Sequence, residues 1–230
     1  MQIRRNIGSQ ILSVFFPEKC YICGVKAEML CEDCKKKFVI PVTRCIKCGR
    51  ALPEADADYI CQHCFTEKPV YDGGIAFFKY TDAVKSWIHN IKYGKMSYQI
   101  RILDIYKDQI SKAIDEFNPD LLVPIPLTME HAYLRGFNQS LIVAQRIAKW
   151  IKLPVCHALR KTKFTESQTA VDAGRRKRNV KGSFSASKKI RDKRILLIDD
   201  VFTTGSTIGE AAKTLKQYTD TVYFFTVAGT

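Results

Sequence analysis

The stretch Ile195-Leu196-Leu197-Ile198-Asp199-Asp200-Val201-Phe202-Thr203-Thr204-Gly205-Ser206-Thr207 decides how this chain is read. Four apolar residues in a row form a short strand buried on both faces. Two carboxylates stand at its end, and a hydroxyl-rich loop with one glycine leads into a helix expected over 205–217. In open α/β sheets, ligands gather at the carboxyl ends of the strands. The free N–H groups and positive dipole end of the following helix suit a phosphate. Thr203, Thr204, Ser206 and Thr207 add hydroxyl donors, and Gly205 lets the backbone approach an anion. The G-x-x-x-x-G-K pattern of a nucleoside-triphosphate loop is missing. Two carboxylates facing a phosphate loop fit a ligand carrying both phosphate and vicinal hydroxyls, that is, a sugar phosphate. The alternative is a strand–turn–helix with two solvated aspartates, and thirteen residues in this order speak against it.

Outward from this stretch, short apolar strands alternate with helical periodicity. Strands are expected at 74–80, 121–126, 155–159, 194–198 and 221–228, with a short one near 183–185. Helices are expected at 82–92, 98–117 and 138–151, the last with Asn138 as N-cap. This alternation predicts an α/β fold with a parallel sheet. Lys68-Pro69 and Asp72-Gly73-Gly74 read as a hinge, so the α/β domain spans 70–230.

Ahead of the hinge the cysteines take over. Cys20, Cys23, Cys31, Cys34, Cys45, Cys48, Cys61 and Cys64 form four CxxC pairs spaced C-x2-C-x7-C-x2-C-x10-C-x2-C-x12-C-x2-C. Two CxxC turns complete a tetrahedral S4 site suited to Zn2+. Gly24 and Gly49 each follow the first CxxC of a set, which marks a duplicated unit with a positive-φ turn after each knuckle. Cys20, Cys23, Cys31 and Cys34 are therefore assigned to one structural zinc, and Cys45, Cys48, Cys61 and Cys64 to a second; an interleaved cross-brace is the lesser option. Metal binding worth about 10–16 kcal/mol per zinc would stabilise a ribbon (20–66) too small to fold on apolar burial alone. His63 is read as a spacer, and Cys156 as a small buried hydrophobe.

With 230 residues, 46% of them hydrophobic and 26% charged, the chain is neither disordered throughout nor a small disulfide scaffold. No run of about 18 apolar residues exists to span a membrane. Residues 1–19 carry a short amphipathic helix, read as docking on the protein's own body, with peripheral membrane contact the lesser reading. The apolar stretch 11–16 is too short for a signal peptide, so reduced thiols and a cytoplasmic location are expected. The formal charge is +14, and residues 160–194 hold thirteen Lys and Arg against three acids, a net +10. The cluster Arg175-Arg176-Lys177-Arg178 repels itself without an anionic partner; a solvated loop is the plainer reading.

The stretch 195–207 resembles the phosphoribosyl-pyrophosphate (PRPP) signature of type I phosphoribosyltransferases. That resemblance implies that Asp199 and Asp200 hold the ribose hydroxyls and that Thr203, Thr204, Gly205, Ser206 and Thr207 hold the 5′-phosphate, with Mg2+ accompanying PRPP. Leu122-Val123-Pro124-Ile125-Pro126, Arg135-Gly136-Phe137-Asn138-Gln139, Gln168, Arg178-Asn179 with Gly182 and Phe184, and Ile91-Lys92-Tyr93 resemble the ComF/GntX family. The resemblance implies an N-terminal double zinc ribbon joined to a type I phosphoribosyltransferase-like sheet, in a late competence protein of the ComFC type. Such a protein would handle incoming single-stranded DNA in natural transformation, alongside a ComFA-like helicase/translocase. It also places the basic stretch as the hood over the active site, with Arg135, Lys161, Arg175, Arg176, Lys177 and Arg178 available to pyrophosphate or to nucleic acid. Three functions remain open at this point. One is a DNA-associated competence factor with PRPP as ligand. The second is an active phosphoribosyltransferase with an unidentified acceptor, and the third a scaffold whose ribbon recruits a protein.

Overall fold

A computed structural model describes residues 19–53, 60–94, 96–128, 133–162 and 181–230. The expected N-terminal amphipathic helix and the Arg175–Arg178 cluster lie outside the described residues. Among the described residues no helix is long and apolar enough to cross a membrane.

The run Ile195–Phe202 is strand β5, near the middle of a parallel sheet. Its neighbours are β6 (Val222–Gly229) on one side and β2 (Leu121–Pro124) on the other, and β1 (Gly73–Lys79) flanks β6. The parallel α/β sheet expected from the sequence is thus present, in the order β1-β6-β5-β2. Alternate residues of β5 serve opposite cores: Leu196 and Ile198 join one apolar cluster, Ile195 and Leu197 the other. The strand does not stop at the carboxylates, because Asp199 pairs in register with Thr226 and Phe202 with Gly229.

On the first face lie α3 (Asp82–Tyr93), α4 (Lys107–Asp115) and α5 (Gln139–Ile151). Thr81 caps α3 by accepting from the Val84 N–H, and Asn138 caps α5 by accepting from the Ser140 and Leu141 N–H groups, as expected for Asn138. The single helix expected over 98–117 is instead a 3-10 helix, Ser97–Tyr106, running into α4. Ile100, Leu103 and Tyr106 are buried at a spacing of three, which a 3-10 turn stacks on one line and an α-turn would splay. On the second face lies α6 (Ser206–Leu215), which returns β5 to β6 in a parallel crossover.

The strand expected over 155–159 is divided. β2 is four residues long and offers Val155 only one parallel bridge, through Leu122. The chain then forms β3 (Leu159–Lys161), which pairs antiparallel with β4 (Phe184–Ala186) as a separate two-stranded ribbon.

The cysteine segment straddles the free edge of the sheet at β1. Leu30, Cys34 and Phe38 pack into the first core, whereas Cys45, Cys48, Cys61 and Cys64 pack into the second. Between them Arg44 donates to the carbonyls of Ala76 and Phe77 at 3.0 and 3.3 Å, and the Lys79 amide donates to the Val39 carbonyl at 2.8 Å. These bonds occupy polar groups that an open edge strand would offer to other chains.

Candidate ligand and metal sites

The two cysteine sets close as the sequence pairs them. Within Cys20, Cys23, Cys31 and Cys34, and within Cys45, Cys48, Cys61 and Cys64, the sulfurs all lie within 4.8 Å of one another. Local structure repeats in both. Cys20 and Cys45 donate to the carbonyls of Val25 and Arg50, while Gly24 and Gly49 donate back to the carbonyls of Cys20 and Cys45. Both glycines have positive φ, +77° and +67°. Cys31 and Cys61 are the N-caps of short helices, α1 (Glu32–Lys35) and α2 (Gln62–Glu67).

The donor geometry fits zinc. A tetrahedral S4 site with Zn–S near 2.3 Å separates its sulfurs by about 3.8 Å; Cys23 and Cys31 are 3.6 Å apart and Cys48 and Cys61 3.7 Å apart. One thiol in each set is already acidic. Burial pushes Cys20 and Cys45 upward, but surrounding backbone N–H groups overcome it and hold them at about 6 and about 7. Burial pushes Cys34, Cys48 and Cys64 up. His63 stands outside both tetrads.

The carboxylates of β5 form the second site. Asp199 and Asp200 are partly buried at the carboxyl-terminal part of the strand. Asp199 accepts from the Ser140 hydroxyl at 2.8 Å and from the Asp200 amide at 2.9 Å. Burial, then the adjacent Asp200 charge, push the Asp199 carboxyl up to about 7 against those two donors and Lys92. Asp200 is paired instead: Lys92 Nζ lies 2.7 Å from its Oδ2. Burial pulls the Lys92 ammonium down, yet Asp200 and Asp199 hold it above its usual value. The pair therefore divides its contacts: Asp200 meets Lys92, whereas burial and the neighbouring charge make Asp199 hold its proton more tightly.

Thr203, Thr204 and Gly205 form the turn, and Ser206 and Thr207 open α6. Thr204 and Ser206 share a hydroxyl hydrogen bond of 2.8 Å. Gly205 is the N-cap at φ +73°, and a Cβ there would meet the Phe202 ring at 2.7 Å. The glycine is required by its own backbone and by the ring beneath it, a reason distinct from the approach of an anion expected of it.

The cations expected near this site divide. Lys161, at the end of β3, is drawn below its usual pKa by burial and feels the Asp199 charge in the opposite sense. Arg135 donates to the Tyr93 hydroxyl at 2.9 Å and to the side-chain Oε1 of Gln139 at 3.3 Å. Arg175, Arg176, Lys177 and Arg178 lie outside the described residues.

Three groups escaped assignment from the sequence. Lys92 and Ser140 reach the acid pair from α3 and α5; the only signal for Lys92 was the Ile91-Lys92-Tyr93 motif. Gln139 is 2% exposed, and its Nε2 has no partner among the described residues. A cleft of about 670 Å³ lies beside the loop, between α6 and the second cysteine knuckle, and includes Arg50, Lys68, Lys181 and Lys213 in its walls.

Residues 11–67 match the family model of the double zinc ribbon domain, and residues 134–220 that of the phosphoribosyl transferase domain. The DNA utilization protein YhgH of Escherichia coli K12 is 26% identical over 210 residues, covering 86% of this chain and 91% of its own. Competence protein F of Haemophilus influenzae is 26% identical over 218 residues, covering 88% and 93%. Competence protein ComFC of Bacillus subtilis is 26% identical over 198 residues, covering 82% and 78%.

Proposed function

We propose that this chain, which joins a double zinc ribbon to a phosphoribosyltransferase domain and is homologous over most of its length to competence proteins F and ComFC, is a competence protein that binds PRPP and handles incoming single-stranded DNA. The observation that carries the PRPP reading is the acid pair. Asp199 and Asp200, anchored by Ser140 and Lys92, stand immediately ahead of the Thr203–Thr207 loop at the start of α6. In this reading the carboxylates receive the ribose hydroxyls and the hydroxyls and first-turn amides of α6 receive the 5′-phosphate. Lys161 and Arg135 supply positive charge for the pyrophosphate, with Mg2+ as companion ion. Lys92 already neutralises one carboxylate, which limits repulsion between the acid pair and a highly anionic ligand.

The DNA role is supported by the relatives' names, DNA utilization protein and competence protein, and by the net +10 of residues 160–194. A cytoplasmic location and a ComFA-like helicase/translocase partner belong to the same reading. PRPP with Mg2+ is expected to raise the melting temperature of the wild type and not of Asp199→Ala/Asp200→Ala; an equal rise in both removes the site assignment. Single-stranded DNA is expected to bind with an affinity that falls steeply with salt. No binding at low salt, with zinc intact, removes the DNA role.

Asp199 favours a second reading, turnover, because a carboxyl near 7 can exchange a proton at neutral pH. Pyrophosphate release with a panel of nucleobases, lost in Asp200→Ala, would establish a phosphoribosyltransferase. Silence across that panel leaves binding without turnover.

A further inference from the structure

We infer that Arg50 is a positioning residue through which the second cysteine knuckle sets the shape of the phosphate loop. The inference deepens the PRPP reading and, for its ligand-binding arm, rests on it.

Arg50 is fixed at its backbone by the knuckle: its carbonyl accepts from the N–H of Cys45, one of the second set of cysteines, at 2.9 Å. The residue before it, Gly49, lies so close to β1 that a Cβ would stand 2.4 Å from the Gly74 carbonyl oxygen. Knuckle and sheet therefore meet without slack at this point. From there the Arg50 side chain crosses to the other domain. Its Nη2 donates to the Thr203 carbonyl at 3.0 Å, and its guanidinium lies 5.3 Å from the centre of the Phe202 ring. That ring supports Gly205, the N-cap of α6. One side chain thus holds the first residue of the loop and the ring beneath its glycine.

The duplication of the ribbon supplies an internal control. Val25 occupies in the first knuckle the position of Arg50 in the second, with the same cysteine N–H bonded to its carbonyl. Val25 is 52% exposed. The knuckle turn therefore does not itself require arginine; the demand comes from the loop. Planar geometry matters too, because a guanidinium can donate in its plane and stack on a ring at once, whereas an ammonium provides a point charge.

The test compares wild type, Arg50→Ala and Arg50→Lys as full-length zinc-loaded protein, with zinc content and melting temperature checked first. Amide hydrogen exchange without ligand is read on the peptide covering Thr203–Thr207 and on the ribbon peptides. In Arg50→Ala the loop is expected to exchange about tenfold faster, with the ribbon peptides unchanged and Arg50→Lys between the two. Unchanged loop exchange in Arg50→Ala overturns the inference, and so does equal acceleration across loop and ribbon, which would mean general destabilisation.

PRPP titration then reads the consequence. Arg50→Ala is expected to bind about tenfold more weakly, with the salt dependence of binding unchanged. A shallower salt dependence would mean that Arg50 meets the ligand as a charge, which contradicts a positioning role. Absence of PRPP binding in the wild type itself would defeat the proposed function while the exchange result still decides on Arg50.

Discussion

Asp199 is the residue whose chemistry departs furthest from its ordinary form. Its folded pKa, about 7, lies above that of the unfolded chain, so the folded protein retains a proton that the unfolded chain releases. Its contribution to stability is fully present below about pH 4 and is lost as pH rises toward 7. Asp199→Asn keeps an oxygen for the Ser140 hydroxyl and the Asp200 amide but does not titrate. Without ligand, the variant is expected to gain on wild type in melting temperature between pH 4 and 7, with the difference constant above. Melting curves measured from pH 4 to 8 check this, and parallel profiles would contradict the burial of that carboxyl. The acid pair was legible in the sequence because it directly follows the four apolar residues Ile195–Ile198. Ser140 and Lys92 were not assigned to it, because they arrive from helices distant in sequence, and only the folded sheet brings them to Asp199 and Asp200.

Among the elements, the two knuckles show how one local motif serves two ends. Gly24 and Gly49 share a positive φ, but a Cβ at Gly24 meets nothing within 4 Å whereas one at Gly49 collides with the β1 backbone. Gly24→Ala is expected to cost about 1 kcal/mol from its backbone conformation alone. Gly49→Ala should cost about 3 kcal/mol or more, because the ribbon must lift from the sheet edge. Chemical denaturation of both variants checks the order, and equal losses would refute the close approach of ribbon and sheet. The glycine pattern and the pairing of cysteines were readable, since each depends on spacing within a few turns. The 3-10 geometry of Ser97–Tyr106 was not, because its three-residue spacing of Ile100, Leu103 and Tyr106 also fits the broad apolar stripe of an α-helix. The divided strand after Val155 was hidden for another reason: its length depends on how much of β2 is available to pair with.

For the whole molecule, the ribbon packs closely on the α/β domain. Its two tetrads pack against opposite faces of one sheet and its backbone covers the β1 edge. Metal analysis is expected to give two zinc per chain. Removing zinc with a chelator should lower the melting temperature of the α/β core as well as unfold the ribbon; an unchanged core transition would show the ribbon to be an independent module. Charge changes with zinc as well. Eight thiolates with two Zn2+ carry −4 together, which brings the formal +14 of the sequence to +10. Residues 160–194 supply that whole amount, so the cationic character concentrates in one segment just ahead of the site in the sequence.

PRPP binding at the acid pair is tested by a calorimetric titration of zinc-loaded wild type and Asp199→Asn/Asp200→Asn with PRPP in the presence of Mg2+. One PRPP is expected per wild-type chain, with an affinity at least about tenfold weaker in the double variant. Equal binding by the two proteins, or none by wild type, would contradict it.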